Sequence, residues 1–411
     1  MSKLLNVSFG IGMQFFLKIA LGVILLKLIA NNFGPEGLYA IANVQNVQQI
    51  IQAVIFSFLS TGVVTYAAKN PDDTLIKNTA IQLLQRALLI SILILVALIA
   101  ANIEKIYILY LTMIVGTFFS GIYAYNQSIA NSKEKYLEYN NISILFTVII
   151  GVASIISVFA LELKFAIIIL AILPMIAAIL VEIIFRKNNI NYIKLKDLFY
   201  LLQKKINWKI LAYLSKYAWS SAIIVCISYG MQYFFRNQLA NEVSAVVAGQ
   251  WTASYKLSEL YMGIVNLIIS VLILPLASKD TASSKKIIWS YVKPIMLIIT
   301  TALLVYIALA DFITNNVLGS SFAGTAYLIR IQTLPDIIKI STWFFAFFMM
   351  AKGFLKLYLI IEVTGYLIAT IFGYVFITYY GSVGITYGLT AQAVFLMFAY
   401  LVWFIKLKQN D

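Results

Sequence analysis

Apolar residues run through the chain in blocks long enough to cross a bilayer, which takes about 20 residues of helix. Twelve such blocks follow one another, at 8–31, 37–67, 74–101, 106–130, 139–160, 165–185, 212–240, 246–275, 287–310, 322–350, 356–379 and 383–405. Two of them are two-faced. In the second, the run NVQNVQQIIQ (Asn43 to Gln52) carries six amides. At about 100° per residue, Gln45, Asn46, Gln48, Gln49 and Gln52 share an arc of roughly 160°. Val44, Val47, Ile50, Ile51, Val54, Ile55 and Phe58 occupy the rest. Lipid satisfies only the apolar arc, so the amides must look at protein or water. In the eighth block, GQWTASYKLSELYMGIVNLIIS, the residues Thr252, Tyr255, Lys256, Glu259, Gly263, Asn266 and Ser270 fall on one arc of about 100°, which leaves Leu257, Leu260, Ile264, Leu267, Ile268 and Val271 elsewhere.

Composition agrees with an all-α, polytopic membrane protein. Of 411 residues, 62% are hydrophobic and 11% charged, and the mean hydropathy is +0.92, far from soluble averages. The opening MSKLLNVSFGIGMQFFLKIA reads as a first span rather than a removable leader, because Lys18 and Lys27 interrupt its apolar core. Cys226 is the single cysteine and histidine is absent. That excludes disulfides within the chain, imidazole catalysis and a zinc, haem or iron–sulfur ligand set; no cofactor, metal or catalytic residue is expected.

The net charge of +14 does not describe a nucleic-acid surface, because the basic residues alternate with the spans. One set of connections holds Lys3, Lys69, Lys77, Lys133, Lys135, the eight from Arg186 to Lys216, Lys279, Lys285, Lys286, Lys293, Lys352, Lys356, Lys406 and Lys408; the other holds only Lys105 and Lys164. Positive residues stay inside, so both termini are predicted in the cytoplasm. Membrane enzymes such as a glycan polymerase, ligase or acyl transferase fit poorly, since the outer loops are short and there is no histidine base. GIG at Gly10 to Gly12 lacks the lysine of a phosphate-binding loop.

The longest connection, RKNNINYIKLKDLFYLLQKKINWK, separates two sets of six spans. This predicts an N-terminal lobe over 1–185, a cytoplasmic linker over 186–209 and a C-terminal lobe over 210–411. In the linker, Leu195, Leu198, Phe199, Leu202 and Ile206 keep helical spacing opposite Lys194, Lys196, Lys204 and Lys205, as in a helix lying on an anionic leaflet. The halves echo each other: KLIANN faces RNQLANE and AAK faces ASK at offsets of about 210, and Tyr136 and Gly151 recur as Tyr358 and Gly373. A duplicated six-helix unit inserts both copies the same way up, which predicts two pseudo-symmetric lobes around a central cavity.

Seven cations fall inside the spans: Lys18, Lys27, Arg86, Arg236, Lys256, Arg330 and Lys339. At roughly 3 kcal/mol each near the bilayer centre, none belongs against lipid. Lys27, Arg236 and Arg330 lie near outer ends and can snorkel; Lys18, Arg86, Lys256 and Lys339 lie deeper and need a wet interior. Lys256 and Glu259 are three apart and can pair along the helix, as can Asp336 and Lys339 in LPDIIKIS, where Pro335 is placed to kink the helix. Buried ion pairs that lock helices together would explain some of these charges, but only Glu259, Asp336 and Glu362 oppose the seven cations. A net-positive interior suits an anion, and the amide stripe suits hydroxyls; a membrane scaffold would need neither.

The stretches FGPEGLYAIANVQN, GVVTYAAKN, GQWTASYKLSELYM, PDIIKISTWFFAFFMMAKG and IIEVTGY, in this order and spacing, resemble the polysaccharide flippases of the multidrug/oligosaccharidyl-lipid/polysaccharide exporter (MOP) superfamily, nearest to O-antigen and enterobacterial common antigen (lipid III) translocases. The resemblance spans nearly the whole chain. Glu259 stands where such proteins keep an acid, and Asp336, Lys339 and Glu362 fall in similar stretches, whereas Lys256 and Pro335 replace smaller residues. The resemblance implies about twelve helices in two lobes and export of undecaprenyl-pyrophosphate-linked oligosaccharide across the bacterial inner membrane, with a polysaccharide polymerase and chain-length proteins as partners. On that reading Lys18, Arg86, Lys256, Lys339, Arg236 and Arg330 face the pyrophosphate. Gln45, Asn46, Gln49, Gln52, Tyr255 and Asn266 face the glycan, and Glu259, Asp336 and Glu362 are coupling or structural acids. The alternative is a multidrug or cation antiporter of the same superfamily, which would call for an acidic interior.

Overall fold

A computed structural model describes residues 2–56, 59, 61–70, 75–100, 107–133, 135–185, 192–194, 197, 207–277 and 282–409. Helix dominates these residues and no strand occurs among them. The helices are α1 (Ser2–Phe56), α2 (Thr61–Lys69), α3 (Leu75–Ala100), α4 (Tyr107–Ser132), α5 (Tyr136–Ala160), α6 (Leu163–Phe185), α7 (Trp208–Glu242), α8 (Ala245–Ala277), α9 (Ala282–Ala308), the short α10 (Ala310–Ile313), α11 (Thr325–Ala351), α12 (Leu355–Tyr380) and α13 (Ser382–Gln409). The described residues of the twelve predicted spans fall on these helices, apart from 59 in a short turn, 309 between α9 and α10, and 322–324 just before α11. Among the described residues, seven helices are long and apolar enough to cross a membrane by length and composition. An eighth results if Val292–Ala308 and Ala310–Leu318, bent by 63°, count together.

Local chemistry explains the breaks. α1 carries the first span and the start of the second, with Gly34 between them at φ 65°. Such a backbone is open to glycine and strained for other residues, and Pro35 then starts the following helical stretch with no N–H to satisfy. The second predicted span, 37–67, takes in the end of α1 and most of α2, with residues 57, 58 and 60 between them outside the described residues. α10 continues into a wide turn, Thr314–Leu318, that Gly319 ends at φ 89°. Pro335 does not interrupt α11, which runs from Thr325 to Ala351.

The chain forms two compact units. One comprises Met1–Leu28 with Val44–Tyr229, and the other Ile29–Asn43 with Gly230–Asp411. Both are built on the same neighbour plan. In the first, α4 packs on α2, α3 and α6, and α5 on α6; in the second, α11 packs on α8, α9 and α13, and α12 on α13. The first core gathers Ile81, Leu84, Ile122, Tyr125, Ile129 and Leu214, and the second Val265, Ile269, Ile299, Ile340, Phe344 and Phe348.

Small residues bring helices together where burial of apolar area cannot, because lipid is as apolar as leucine. Gly384 and Gly388 on α13 meet Ala369 and Gly373 on α12: a Cβ on Gly388 would stand 2.5 Å from the Ala369 carbonyl oxygen and 2.6 Å from the Gly373 nitrogen. Outer faces stay apolar, with Phe159 76%, Leu297 70% and Leu93 68% exposed. In water such surfaces would associate; in a bilayer they are solvated, and the protein is a multi-pass membrane protein.

Of the predicted amphipathic linker, Leu195, Lys196, Leu198, Phe199, Leu202, Lys204, Lys205 and Ile206 lie outside the described residues. Its described start is docked on the first unit. The Asn126 side chain donates to the Ile193 carbonyl (3.1 Å) and accepts from the Ile193 N–H (2.8 Å). Tyr192 and Ile193 are buried, and Lys77 pairs with Asp197 at 2.7 Å.

Candidate functional site

In the first unit the amide stripe divides in two. Gln48 donates to the Ala171 carbonyl on α6 at 3.0 Å. Gly116 on α4 leaves room for the approach, since a Cβ there would stand 2.1 Å from the same carbonyl oxygen. Asn46 is 1% exposed and donates to the Tyr229 carbonyl at 3.2 Å. These two amides fasten helices. Gln45 and Gln52 are half-buried and Gln49 is exposed, which leaves them the accessible members of the stripe.

Lys18 and Arg86 are both exposed, and neither has a carboxylate within 4 Å among the described residues. On α3, Gln82, Leu84 and Gln85 beside Arg86 are buried, while Leu89, Ile90 and Leu93 further along its own stripe are exposed. The guanidinium is therefore displayed by a packed helix rather than held within the core.

In the second unit the predicted residues occupy four settings. On α8, Lys256 Nζ lies 3.0 Å from Glu259 Oε2 with both side chains partly exposed, so the pair expected from the three-residue spacing forms. Further along the same face, a Cβ on Gly263 would meet nothing within 4 Å, and Asn266 is exposed. Arg236 does not snorkel. It is fully buried, 6.0 Å over the Trp251 ring, and Nη2 donates to Gln232 at 3.3 Å; Gln232 in turn donates to the Tyr255 hydroxyl at 3.1 Å. Arg330 pairs with Asp311, an acid outside the predicted spans.

The fourth setting brings three charges together. The expected Asp336–Lys339 contact along α11 does not form. Asp336, 6% exposed, accepts instead from the Tyr261 hydroxyl of α8 at 2.5 Å. Tyr261 Oη also lies 3.0 Å from Ser258 Oγ, which Gln332 Nε2 reaches at 3.3 Å, while Ser254 donates to Gln332 at 3.3 Å. Glu362 on α12, also 6% exposed, accepts from the Tyr400 hydroxyl of α13 at 2.6 Å. Lys339 has its Nζ 5.5 Å above the Tyr366 ring, with the charges of Asp336 and Glu362 both within electrostatic reach. Tyr261, Tyr366, Tyr400, Ser258, Gln332 and Asp311 were not anticipated. The available signal was that a tyrosine in an apolar span needs a partner for its hydroxyl.

These two helical units carry the fold of MOP-superfamily transporters. The structure superposes on an inward-facing MATE family multidrug resistance transporter of that superfamily with a TM-score of 0.74, at 15% identity over 95% of this chain and 94% of that one. It superposes on the lipid II flippase MurJ in its inward closed conformation with a TM-score of 0.75, at 16% identity over 98% of this chain and 87% of that one. In sequence, 149 residues are 24% identical to the lipid III flippases of Escherichia coli (strain K12) and Shigella flexneri, covering 35% of this chain. The chain thus spans only 36% of the length of those relatives. No family model matches the chain. Both comparisons agree with the resemblance to flippases of this superfamily read from the sequence.

Proposed function

We propose that the protein is a flippase that carries undecaprenyl-pyrophosphate-linked oligosaccharide from the cytoplasmic to the periplasmic leaflet of the bacterial inner membrane, with both termini in the cytoplasm. The observation that carries this reading is the display of Lys18 and Arg86 on apolar helices with no carboxylate within 4 Å among the described residues. Deep cations of this kind are costly, and a diphosphate stabilises them through charge-assisted hydrogen bonds. The similarity to lipid III flippases supports the same substrate class.

In this mechanism the prenyl tail stays in lipid, since extracting it would cost about 0.8 kcal/mol per CH₂. The pyrophosphate engages Lys18, Arg86 and the Lys256 ammonium, which can leave Glu259 for a doubly charged partner. Gln45, Gln49, Gln52 and Asn266 offer donors and acceptors to sugar hydroxyls. Access alternates as the two lobes rock about a central cavity. Moving about two negative charges outward also releases roughly 4 to 5 kcal/mol at 100 mV, inside negative.

Vesicles reconstituted with the protein and a labelled prenyl-pyrophosphate oligosaccharide test the proposal. Lys18→Gln and Arg86→Gln are expected to abolish label transfer between leaflets while the protein remains folded; undiminished transfer in both would refute the anion-binding role. A cation antiporter is the second reading, favoured by the buried carboxylates Asp336 and Glu362. Proton- or sodium-driven efflux of a cationic dye from the same vesicles, without glycolipid transfer, would establish it instead.

A further inference from the structure

We propose that Lys339 is a tethered counter-cation, shared by Asp336 and Glu362, that binds α11 to α12 and thereby to α8 and α13, and that it does not contact substrate. Three observations carry this. Each carboxylate is buried and already receives a short hydrogen bond from another helix, Asp336 from Tyr261 at 2.5 Å and Glu362 from Tyr400 at 2.6 Å. Neither therefore needs the ammonium as a hydrogen-bond donor, yet each needs compensating positive charge, because an uncompensated buried ion is strongly destabilising. Lys339 is the cation within reach of both, and no carboxylate within 4 Å captures it among the described residues. Its ammonium rests over the electron-rich face of Tyr366, 5.5 Å from the ring centroid, a position that favours a cation without fixing its hydrogen bonds.

The surroundings are those of an electrostatic joint built of tyrosines, with the two carboxylates buried and Lys339 half-buried. Facing the three charges are Tyr261 from α8, Tyr306 from α9, Tyr358 and Tyr366 from α12 and Tyr400 from α13. Tyr261 and Tyr306 pack edge to face at 5.3 Å. With both acids ionised, the joint carries two negative charges and one positive. Removing the ammonium alone leaves two negative charges in a buried place. Removing the ammonium and one carboxylate together leaves one, as before.

That arithmetic sets the experiment. The full-length protein is purified in nanodiscs as wild type, Lys339→Met, Lys339→Arg, Glu362→Gln and the Lys339→Met/Glu362→Gln double variant. Melting temperature is read without substrate, and glycan display is read in cells. Lys339→Met is expected to lower the melting temperature by several degrees and to abolish display. Lys339→Arg should retain most of both, and the double variant should regain most of the lost melting temperature together with display. Where Lys339→Met gives no folded protein, recovered yield in the double variant supports the joint and continued failure overturns it. A Lys339→Met protein as stable as wild type, or a double variant as unstable as the sum of its parts, overturns it as well. The melting measurement involves no glycolipid, so failure of the flippase reading would leave this result standing.

Discussion

Replacing Tyr400 with phenylalanine isolates one hydrogen bond without changing the packing volume of the second unit. The hydroxyl donates to Glu362 at 2.6 Å, Tyr400 is fully buried and Glu362 is 6% exposed, so no solvent is at hand to replace the lost donor. In water-soluble proteins a hydrogen bond to a charged group contributes about 1.5–3 kcal/mol. In membrane proteins double-mutant cycles average about 0.6 and reach about 1.7 kcal/mol, because the unfolded chain in the bilayer also finds partners. A short bond to an acid with no water nearby belongs at the upper end of the membrane range, so Tyr400→Phe should cost about 1.5 kcal/mol. The assay is reversible unfolding in bicelles of wild type, Tyr400→Phe, Glu362→Gln and the double variant. A coupling energy of about 1 kcal/mol between the two sites is expected. Additive effects, or a Tyr400→Phe protein as stable as wild type, would refute the assignment of this bond as a support of the buried acid.

Gly388→Leu should abolish folded protein, because even its Cβ would collide with Ala369 and Gly373, whereas Gly263→Leu, whose Cβ meets nothing within 4 Å, should fold normally; size-exclusion chromatography of both separates the outcomes. Asn126→Ala removes both bonds to the Ile193 main chain and should accelerate limited proteolysis within residues 186–209, read by mass spectrometry of the fragments. Glu259→Gln and Lys256→Gln each break a partly exposed ion pair, so either should change stability by under about 1 kcal/mol. Only Lys256→Gln should stop transfer of the labelled glycolipid.

The helical passages were legible because bilayer thickness imposes a block length on any spanning helix, and the gap left between the blocks 8–31 and 37–67 falls on the break at Gly34 and Pro35. The duplicated plan was also visible, in short echoes such as KLIANN and RNQLANE, and it returns as the matching neighbours of α4 and α11. Partners across helices were not legible. Spacing along one helix finds Lys256 with Glu259, because three residues make almost one turn, but it assigns Lys339 to Asp336 by the same rule and there it fails. Which hydroxyl reaches Asp336 depends on the rotation and depth of α8 against α11, and no pattern within either segment encodes that. The amides of α1 show the same limit. The wheel puts Asn46 and Gln48 among their neighbours, whereas the structure gives both to main-chain carbonyls and leaves Gln45, Gln49 and Gln52 accessible.

The short piece of α1 from Ile29 to Asn43 belongs with the later part of the chain, where the Pro35 carbonyl fits the gap left by Gly249 and Tyr39 donates to Asn237 at 2.7 Å. A gene cut at the 186–209 connection would therefore not yield two self-sufficient products. The downstream fragment would be made without a wedge that only the upstream fragment supplies, so reassembly would require co-expression.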